Sequence, residues 1–388
     1  MFEAHEKSVF DPISIVSAKF MADSRPEKLN LCIGYFESEI TKNTGFTVLE
    51  KNKKNKSKVG FNILGEESFR DAIKSLLKTQ ASQEYNLSVV QTIGASGGLW
   101  LIFTLLQRFT HSNRVWFSTP TWSNHLEIAK NTNLEISRYR YQLDNHGKLE
   151  MDKLIQDIST IKCGDILVLQ GCCHNPLGVD LSITQWKKLA QYVKRLGAHL
   201  VIDFAYFGLS NGIEKDKSIF LPLFSELDNF FVVNSFSKNL GLYGERIGAL
   251  SLFSRSNEYR ENFEFLAKKI IRSTYSMPPQ RIAKEIAEII SSNDLSQLWY
   301  KEIYTLRETL LKRKNSLLNV LKNHGLIHIV ANPKSHGMFL NLNLTEQEVT
   351  TLAKEFGIYI LPNGRLSLAS LQLENINQLV EAIRIIKK

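Results

Sequence analysis

The sequence has few of the features that mark fibrous, secreted or membrane-spanning proteins. Its 388 residues include 21 glycines and 9 prolines, too few for a collagen-like or low-complexity chain. No uncharged apolar run reaches the roughly 18 residues that a transmembrane helix needs. The first ten residues lack a basic and apolar leader pattern, so no secretory signal is expected. The four cysteines lack the spacing of a disulfide framework, which predicts reduced thiols in a cytoplasmic protein: Cys32, Cys163, Cys172 and Cys173.

Positive charge is in excess, and part of that excess is local. Lysine and arginine outnumber aspartate and glutamate by 48 to 39, giving a net charge of +9. The segment KNKKNKSK (51–58) holds five of the lysines and is typical of a solvated loop. No aromatic or glycine-rich RNA-binding signature accompanies it, so a nucleic-acid-binding protein is the least favoured class. An anionic substrate or cofactor explains the surplus equally well.

Short apolar runs alternate with helical patterns between residues 86 and 253. The helical segment 182–197 has Ser182 and Gln185 at capping-box spacing and ends at Gly197. Alternation of strand and helix predicts a mostly parallel sheet covered by helices. The predicted strands are rich in β-branched and aromatic residues: 88–93, 114–119, 166–171, 199–204, 230–236 and 247–253.

The pattern changes after about residue 255. Residues 261–292 predict two helices broken at Pro278–Pro279, and 298–325 predicts one long helix. The remaining tail mixes short strands and helices as a compact α+β unit. The first 30 residues show too little periodicity to fold alone and are expected to join that unit.

Polar motifs follow five of the predicted strands, where parallel sheets bind ligands. Most of these motifs also have an explanation that involves no ligand: a tight turn, a tryptophan at the core edge, a structural ion pair or a surface lysine. The Cys-Cys-His run has no partners at zinc spacing, so no metal is expected. Together the motifs supply a phosphate cradle, a stacking ring, an amide, a buried acid and an amine, as pyridoxal phosphate (PLP) requires. They are IGASGG (93–98), TPTWSNH (119–125), GCCHNPLG (171–178), DFAYFG (203–208) and NSFSKNLGLYGER (234–246).

These motifs, with two later ones, resemble those of the aspartate/aromatic aminotransferase group of fold-type I PLP-dependent enzymes. The added motifs are IRSTYSMPP (271–279) and NGRLSLA (363–369). The resemblance covers nearly the whole chain. It implies an α/β fold: a large PLP-binding domain over 31–306, with a mostly parallel seven-stranded sheet covered by helices, and a small α+β domain from 1–30 with 307–388. It also implies a homodimer with shared active sites.

The resemblance assigns the residues around the Schiff base, the pyridine nitrogen and the phenolic oxygen of the cofactor. Lys238 is expected to form the Schiff base and carry the proton. Asp203, backed by His125, is expected to pair with the pyridine nitrogen. Tyr206 and Asn175 are expected to hydrogen-bond the phenolic oxygen of the ring. Lys238, Asp203 and Tyr206 are therefore the predicted catalytic residues.

The remaining contacts follow from the same resemblance. Trp122 is expected to stack on the cofactor ring, and the phosphate group is expected to contact Gly94, Ala95, Ser96, Ser235 and Arg246. Arg365 is expected to bind the α-carboxylate of the substrate. Arg272, supplied by the other subunit, is expected to face the distal carboxylate of a dicarboxylic substrate. The substrate side is completed by Ile33, Gly34, Phe339, Trp122 and Asn175.

Three positions depart from the family pattern. Many relatives place a tyrosine, which contacts the phosphate across the dimer, five residues before the glycine equivalent to Gly65. This chain has Gly60 there, followed by Phe61. Ala95 stands where glycine is common, and Met277 replaces a polar residue. These changes are compatible with an altered substrate specificity and also with a relaxed constraint on the sequence at these positions.

The prediction is a transaminase that uses aromatic amino acids such as tyrosine and phenylalanine, and also aspartate or glutamate, with 2-oxoglutarate. Ser96 and the run 234–246 resemble the aromatic-type members of the family more than the aspartate-only members. A strict aspartate aminotransferase is the alternative within the family. A nicotinamide-dependent oxidoreductase would share the α/β sheet, but the dinucleotide fingerprint it needs is missing.

Overall fold

The structure is a computed structural model, and most of the chain is described in it. The described residues are 12–36, 46–51, 61–110, 112–144 and 147–387. Gly60 and all but the first residue of the lysine-rich run lie outside these ranges. The departure from the family pattern at Gly60 therefore stays a sequence observation.

A seven-stranded sheet forms the centre of the described fold, in the order β2-β8-β7-β6-β5-β3-β4. Strand β8 is antiparallel to both of its neighbours, and the other six strands run in one direction. The strands of the chain are β1 (Leu29–Asn30), β2 (Asn86–Thr92), β3 (Arg114–Thr119), β4 (Glu135–Arg140), β5 (Ile166–Gln170), β6 (His199–Phe204), β7 (Asn229–Ser235), β8 (Gly248–Ser254), β9 (Phe339–Asn341), β10 (Ile358–Tyr359) and β11 (Arg365–Ser367).

The six strands predicted from apolar runs are all present, and their continuous burial explains why they were recognisable. Every residue of β5 is buried, as expected for a parallel strand covered on both faces. The six runs missed edge strand β4, although the family resemblance implies seven strands. Its sequence EISRYR is mostly polar, and only Tyr139 is buried. An edge strand that faces solvent carries too little apolar signal to be recognised from composition.

Helices cover both the sheet and the C-terminal part of the chain. None of the described helices is long and apolar enough to cross a membrane. They are α1 (Pro12–Ala22), α2 (Val48–Lys51), α3 (Glu67–Leu77), α4 (Gly94–Phe109), α5 (Ser123–Lys130), α6 (Met151–Ile158), α7 (Ile183–Leu196), α8 (Ile213–Lys217), α9 (Phe220–Glu226), α10 (Asn257–Thr274), α11 (Arg281–Ser291), α12 (Asn293–Asn323), α13 (Glu346–Phe356) and α14 (Ile376–Ile386).

Helix boundaries follow local capping chemistry. Ser182 and Gln185 form the predicted capping box of α7, and Gly197 ends the helix in the left-handed conformation with φ of 65°. Helices α10 and α11 are separated at Pro278–Pro279, as predicted. The long helix predicted over 298–325 is present as α12, and its buried residues include Ile303, Leu310 and Leu317.

The first described segment packs against the C-terminal part of the chain. Strand β1 pairs in parallel with β10. The guanidinium of Arg25 donates to the carbonyls of Ala353 and Lys354, and Gln378 donates to the carbonyl of Glu27. Strands β9 and β11 form a separate antiparallel pair in the same region. Before β9 the chain forms a 3₁₀ turn at Ile327–Ile329, and a single bridge joins Val330 to Leu342.

Candidate active site

One cavity of about 270 Å³ collects most of the predicted site residues. It opens beyond the carboxyl ends of β5, β6 and β7, where ligands bind in parallel α/β sheets. Strands β9 and β11 close its other side. The predicted residues that line it are Ile33, Gly34, Ala95, Ser96, Trp122, Asn175, Asp203, Tyr206, Ser235, Lys238, Arg246, Phe339 and Arg365.

One end of the cavity is built to hold an anion. Helix α4 begins there, and its N-cap residue, Ile93, supplies no side-chain hydrogen bond to the free backbone N–H groups. Gly94 has φ of +71°, and a Cβ atom on it would lie 2.5 Å from Nη2 of Arg246. Only glycine allows the arginine this close to the helix start. The positive helix end and the guanidinium together favour a phosphate group.

Hydroxyl groups and Arg246 form the wall beside the helix start. Ser237 lies between Ser235, whose hydroxyl contacts it at 3.1 Å, and Nη1 of Arg246, which donates to it at 3.4 Å. The same Nη1 donates to the carbonyl of Tyr243 at 3.1 Å. The guanidinium is therefore oriented by the protein before any ligand binds.

Asp203 lies at the end of β6 and is oriented by a buried histidine. Its Oδ2 is 2.9 Å from Nε2 of His125, and its Oδ1 accepts from the backbone N–H of Ala205 at 3.0 Å. Nδ1 of His125 contacts the hydroxyl of Thr121 at 2.8 Å. Phe117 stacks on the histidine ring with an interplanar angle of 9°. The carboxylate is thus fixed at the cavity wall, where it can accept a proton or pair with a ring N–H⁺.

Trp122 is the other ring against this histidine. It lines the cavity and meets His125 edge to face, with ring centroids 5.3 Å apart. The indole is therefore in contact with His125 on one side, and another part of it faces the cavity.

Lys238 follows β7 and is half-buried in the same cavity. Within the described residues its Nζ makes no hydrogen bond, and it lies 5.0 Å from the centre of the Tyr206 ring. Burial lowers the pKa of Lys238 to about 8, and Arg246 and Arg365 act in the same direction against the opposing charge of Asp203. A neutral amine at near-physiological pH is a nucleophile.

We expect Lys238 to react with electrophiles at lower pH than an ordinary lysine. Only the neutral amine reacts, so its reactivity should rise with pH and reach half its maximum near pH 8 rather than near the usual 10.4. Competitive acetylation of the cofactor-free protein, followed by mass spectrometry of the peptide that contains Lys238, measures the midpoint. A midpoint above pH 10 would contradict this prediction.

Asn175 connects the phenol of Tyr206 with the guanidinium of Arg365. Its Nδ2 donates to the Tyr206 hydroxyl at 3.5 Å, and its Oδ1 accepts from Nη1 of Arg365 at 2.8 Å. Burial raises the pKa of Tyr206 above its ordinary value, which keeps the phenol a hydrogen-bond donor at neutral pH.

Arg365 is buried and carries its charge into the cavity. Nη2 donates to the carbonyl of Cys32 at 2.9 Å, and the guanidinium lies 4.0 Å from the centre of the Phe339 ring. A Cβ atom on Gly34 would lie 2.8 Å from Phe339, so glycine makes room for this ring. A fixed, planar guanidinium of this kind is suited to bind a carboxylate.

Three predicted residues do not line the cavity. Gly94 and His125 lie directly behind it and touch Arg246 and Asp203, as described above. Arg272 lies elsewhere on the surface, at the end of α10, where it hydrogen-bonds the hydroxyl of Ser276 and lies 5.2 Å from the ring centre of Phe61. This chain does not bring Arg272 to its own cavity.

Sequence reasoning missed several residues that line the cavity. Tyr243 lay within a recognised motif and could have been found there. Gln170 is the last residue of strand β5, and ligand-binding residues of parallel sheets are expected at strand ends. Tyr35 directly follows the predicted residues Ile33 and Gly34, whereas no local signal marks Ile13. The missed residues are Ile13, Tyr35, Gln170, Ala205, Ser237 and Tyr243.

Comparison with known proteins is in line with this geometry. The family model for aminotransferase class I and II matches residues 26–383. The chain belongs to this aminotransferase family. It is 32% identical over 397 residues to an aspartate aminotransferase of Escherichia coli (strain K12), with 99% of both chains covered. It is 29% identical over 395 residues to a tyrosine aminotransferase of Klebsiella pneumoniae, covering 98% of this chain and 99% of that one.

A solved structure extends the similarity to the whole fold. The aromatic-amino-acid aminotransferase from Burkholderia pseudomallei, covalently bound to pyridoxal phosphate, has a TM-score of 0.92 with 30% identity, and both chains are fully covered. The family, the fold-type I architecture and the transaminase activity predicted from the sequence are thus confirmed. The protein is a PLP-dependent aminotransferase, and its substrates are amino acids and 2-oxo acids.

Proposed function

We propose that this aminotransferase accepts aromatic amino acids, with aspartate and glutamate as further substrates and 2-oxoglutarate as co-substrate. The observation that carries this proposal is the pair of tyrosine rings in the cavity. Tyr35 lines it with a half-exposed ring, which lies 4.4 Å from the ring of Tyr243. Together with Phe339 they give the substrate side of the cavity an aromatic surface. Such a surface suits the ring of phenylalanine or tyrosine.

The residues present fit PLP, and we propose the following contacts. The start of α4 at Gly94–Ser96, with Ser235 and Arg246, holds the phosphate. Asp203 holds a proton on the ring nitrogen, and His125 fixes its carboxylate. Tyr206 and Asn175 donate to the phenolic oxygen, and Trp122 covers one face of the ring. When bound, PLP supplies an electron-accepting ring, and Lys238 moves the proton at the substrate carbon.

We further propose the homodimer and the domain division expected from the sequence. Arg272 lies outside the cavity of its own chain, so it can serve a substrate only from a partner subunit. The contacts of Arg25 and β1 with the C-terminal region support the assignment of 1–30 and 307–388 to a small domain, apart from 31–306. A cytoplasmic location is supported by four cysteines that form no disulfide bond.

A strict aspartate aminotransferase is the second candidate, favoured by the similarity to the Escherichia coli enzyme. The two functions differ in a panel of amino donors assayed with 2-oxoglutarate. We expect kcat/KM for phenylalanine and tyrosine to lie within about tenfold of that for aspartate, a gap of about 1.4 kcal/mol. Aromatic donors that react a thousandfold more slowly than aspartate would instead establish the strict enzyme.

A further inference from the structure

Gln170 makes an unusual pair of hydrogen bonds to one backbone residue. It is the last residue of β5, it is buried, and it lines the cavity. Its Oε1 accepts from the backbone N–H of Asn175 at 2.8 Å, and its Nε2 donates to the carbonyl of Asn175 at 3.1 Å. One side-chain amide therefore satisfies both backbone groups of Asn175.

This pairing fixes Asn175 relative to the sheet. Gln170 is in register with Asp203 on β6, and the backbone N–H of Gly171 donates to the carbonyl of Asp203 at 2.8 Å. The loop that carries Asn175 is thus tied to the strand ends that carry the acid. A side chain can hold one orientation only if its own backbone is held, so the amide of Asn175 depends on Gln170.

Asn175 in turn orients Arg365. Its Oδ1 accepts from Nη1 of the arginine at 2.8 Å, while the carbonyl of Cys32 accepts from Nη2. These two acceptors hold the two ends of the guanidinium. A shift of the Asn175 side chain would release one of them.

We propose that Gln170 is a positioning residue for substrate binding: it fixes Asn175, and through Asn175 it sets the guanidinium of Arg365 for the substrate carboxylate. The inference rests on the proposed role of Arg365. It predicts an effect on every substrate, because every amino acid and 2-oxo acid carries the carboxylate next to the reacting carbon. A residue that only stabilised the fold would not change carboxylate affinity in the folded enzyme.

The first test replaces the amide with an apolar side chain of similar size. For Gln170→Leu in the PLP-loaded enzyme, we expect the Kd values of 3-phenylpropionate and succinate to rise by the same factor, roughly 5- to 30-fold, as for loss of a hydrogen bond that orients a charged group. KM should rise in parallel, and kcat should fall by a smaller factor, because Asn175 is also proposed to contact the cofactor. Titration followed by the absorbance of bound PLP gives Kd without turnover.

Gln91→Leu is a matched control. Gln91 is also buried, and its amide also bonds two backbone groups, the N–H of Glu66 and the carbonyl of Pro279, but it does not line the cavity. We expect a comparable loss of thermal stability with unchanged Kd for 3-phenylpropionate. Equal Kd increases in both variants would overturn the positioning role.

A second variant tests the hydrogen-bond pattern itself. In Gln170→Glu, the protonated carboxyl can accept from the N–H and donate to the carbonyl of Asn175, as the amide does. The ionised form can only accept. The Kd ratio of variant to wild type should therefore be near 1 at about pH 5 and rise with pH. Dividing by the wild type removes pH effects that both proteins share. The charged and titratable side chains that line the same cavity are Tyr35, Asp203, Tyr206, Lys238, Tyr243, Arg246 and Arg365. A ratio of 1 throughout would overturn the inference.

Arg365→Leu separates the two possible failures. If it leaves the Kd of both carboxylates unchanged, the proposed role of Arg365 is wrong. If it weakens both carboxylates and Gln170→Leu weakens neither, only the role of Gln170 is wrong.

Discussion

Replacement of Lys238 by alanine should lower kcat/KM by roughly 10⁴-fold or more. In the proposed mechanism the amine both anchors the cofactor and moves the substrate proton, and general acid–base catalysis alone contributes about 10² to 10⁴. The phenol of Tyr206 is a neighbour in the cavity, but burial raises its pKa, so it stays protonated at neutral pH and cannot accept the substrate proton. No described neighbour of Lys238 in the cavity offers a second amine.

The variant should nevertheless fold, because within the described residues Lys238 makes no hydrogen bond that its loss would break. Its burial lowers its own pKa, which shows that the charged form is poorly solvated there. Thermal unfolding should therefore occur at or above the wild-type temperature. Borohydride reduction followed by mass spectrometry should leave cofactor on the Lys238 peptide of the wild type and none on the variant.

Lys217→Ala is the matched control. Lys217 is also buried, on α8, where its amine donates to the carbonyl of Leu76 at 3.3 Å, and it does not line the cavity. This variant should keep wild-type kcat/KM in its folded fraction. Retention of more than a few per cent of kcat by Lys238→Ala would mean that another group carries the proton.

The sheet was predictable where burial on both faces forces a continuous apolar sequence. Strands β5, β6 and β7 carry such runs, and they are also adjacent in the sheet. Their ends therefore meet at one edge, which is why Asn175, Asp203 and Lys238 could be grouped from the sequence. Strand β4 is only partly buried and has a polar sequence, so only the family resemblance implied it.

The site was less predictable where contacts depend on packing between distant segments. Tyr35 reaches the cavity because β1 pairs with β10, and neither segment carries a motif for that approach. Gln170 has a role only because the loop after β5 turns back onto its side chain. Arg365 was predicted to bind the substrate only from the family resemblance. A single arginine in NGRLSLA has no local feature that marks it as a substrate-binding residue.

The two arginines of the proposed substrate site should differ in which donors they affect. Arg365 is buried, points into the cavity and is held by Asn175 and the carbonyl of Cys32. It is placed to bind the carboxylate common to all amino acids. Arg365→Leu should therefore lower kcat/KM for aspartate and phenylalanine by similar factors, and it should raise the Kd of both 3-phenylpropionate and succinate.

Arg272→Leu should be selective instead. Its guanidinium lies on the surface beside Phe61 and Ser276, outside the cavity of its own chain. In the proposed dimer it meets only the distal part of a substrate in the partner's cavity. Removal of one partner of an enclosed guanidinium–carboxylate pair lowers the binding free energy by an amount on the order of 2–5 kcal/mol. At about 1.4 kcal/mol for each factor of ten, kcat/KM for aspartate and glutamate should fall roughly 30- to 1,000-fold.

Phenylalanine should lose far less in Arg272→Leu, because its ring needs no cation and, in the proposed site, packs on the aromatic surface of Tyr35 and Tyr243. The measurement is kcat/KM for aspartate and phenylalanine in single half-reactions, which keep 2-oxoglutarate out of the comparison. Arg281→Leu, an exposed arginine of the neighbouring helix α11, is the control and should leave both donors unchanged. Equal losses for both donors in Arg272→Leu would show that Arg272 does not select the side chain, because a distal-carboxylate clamp cannot act on a substrate that has no distal carboxylate.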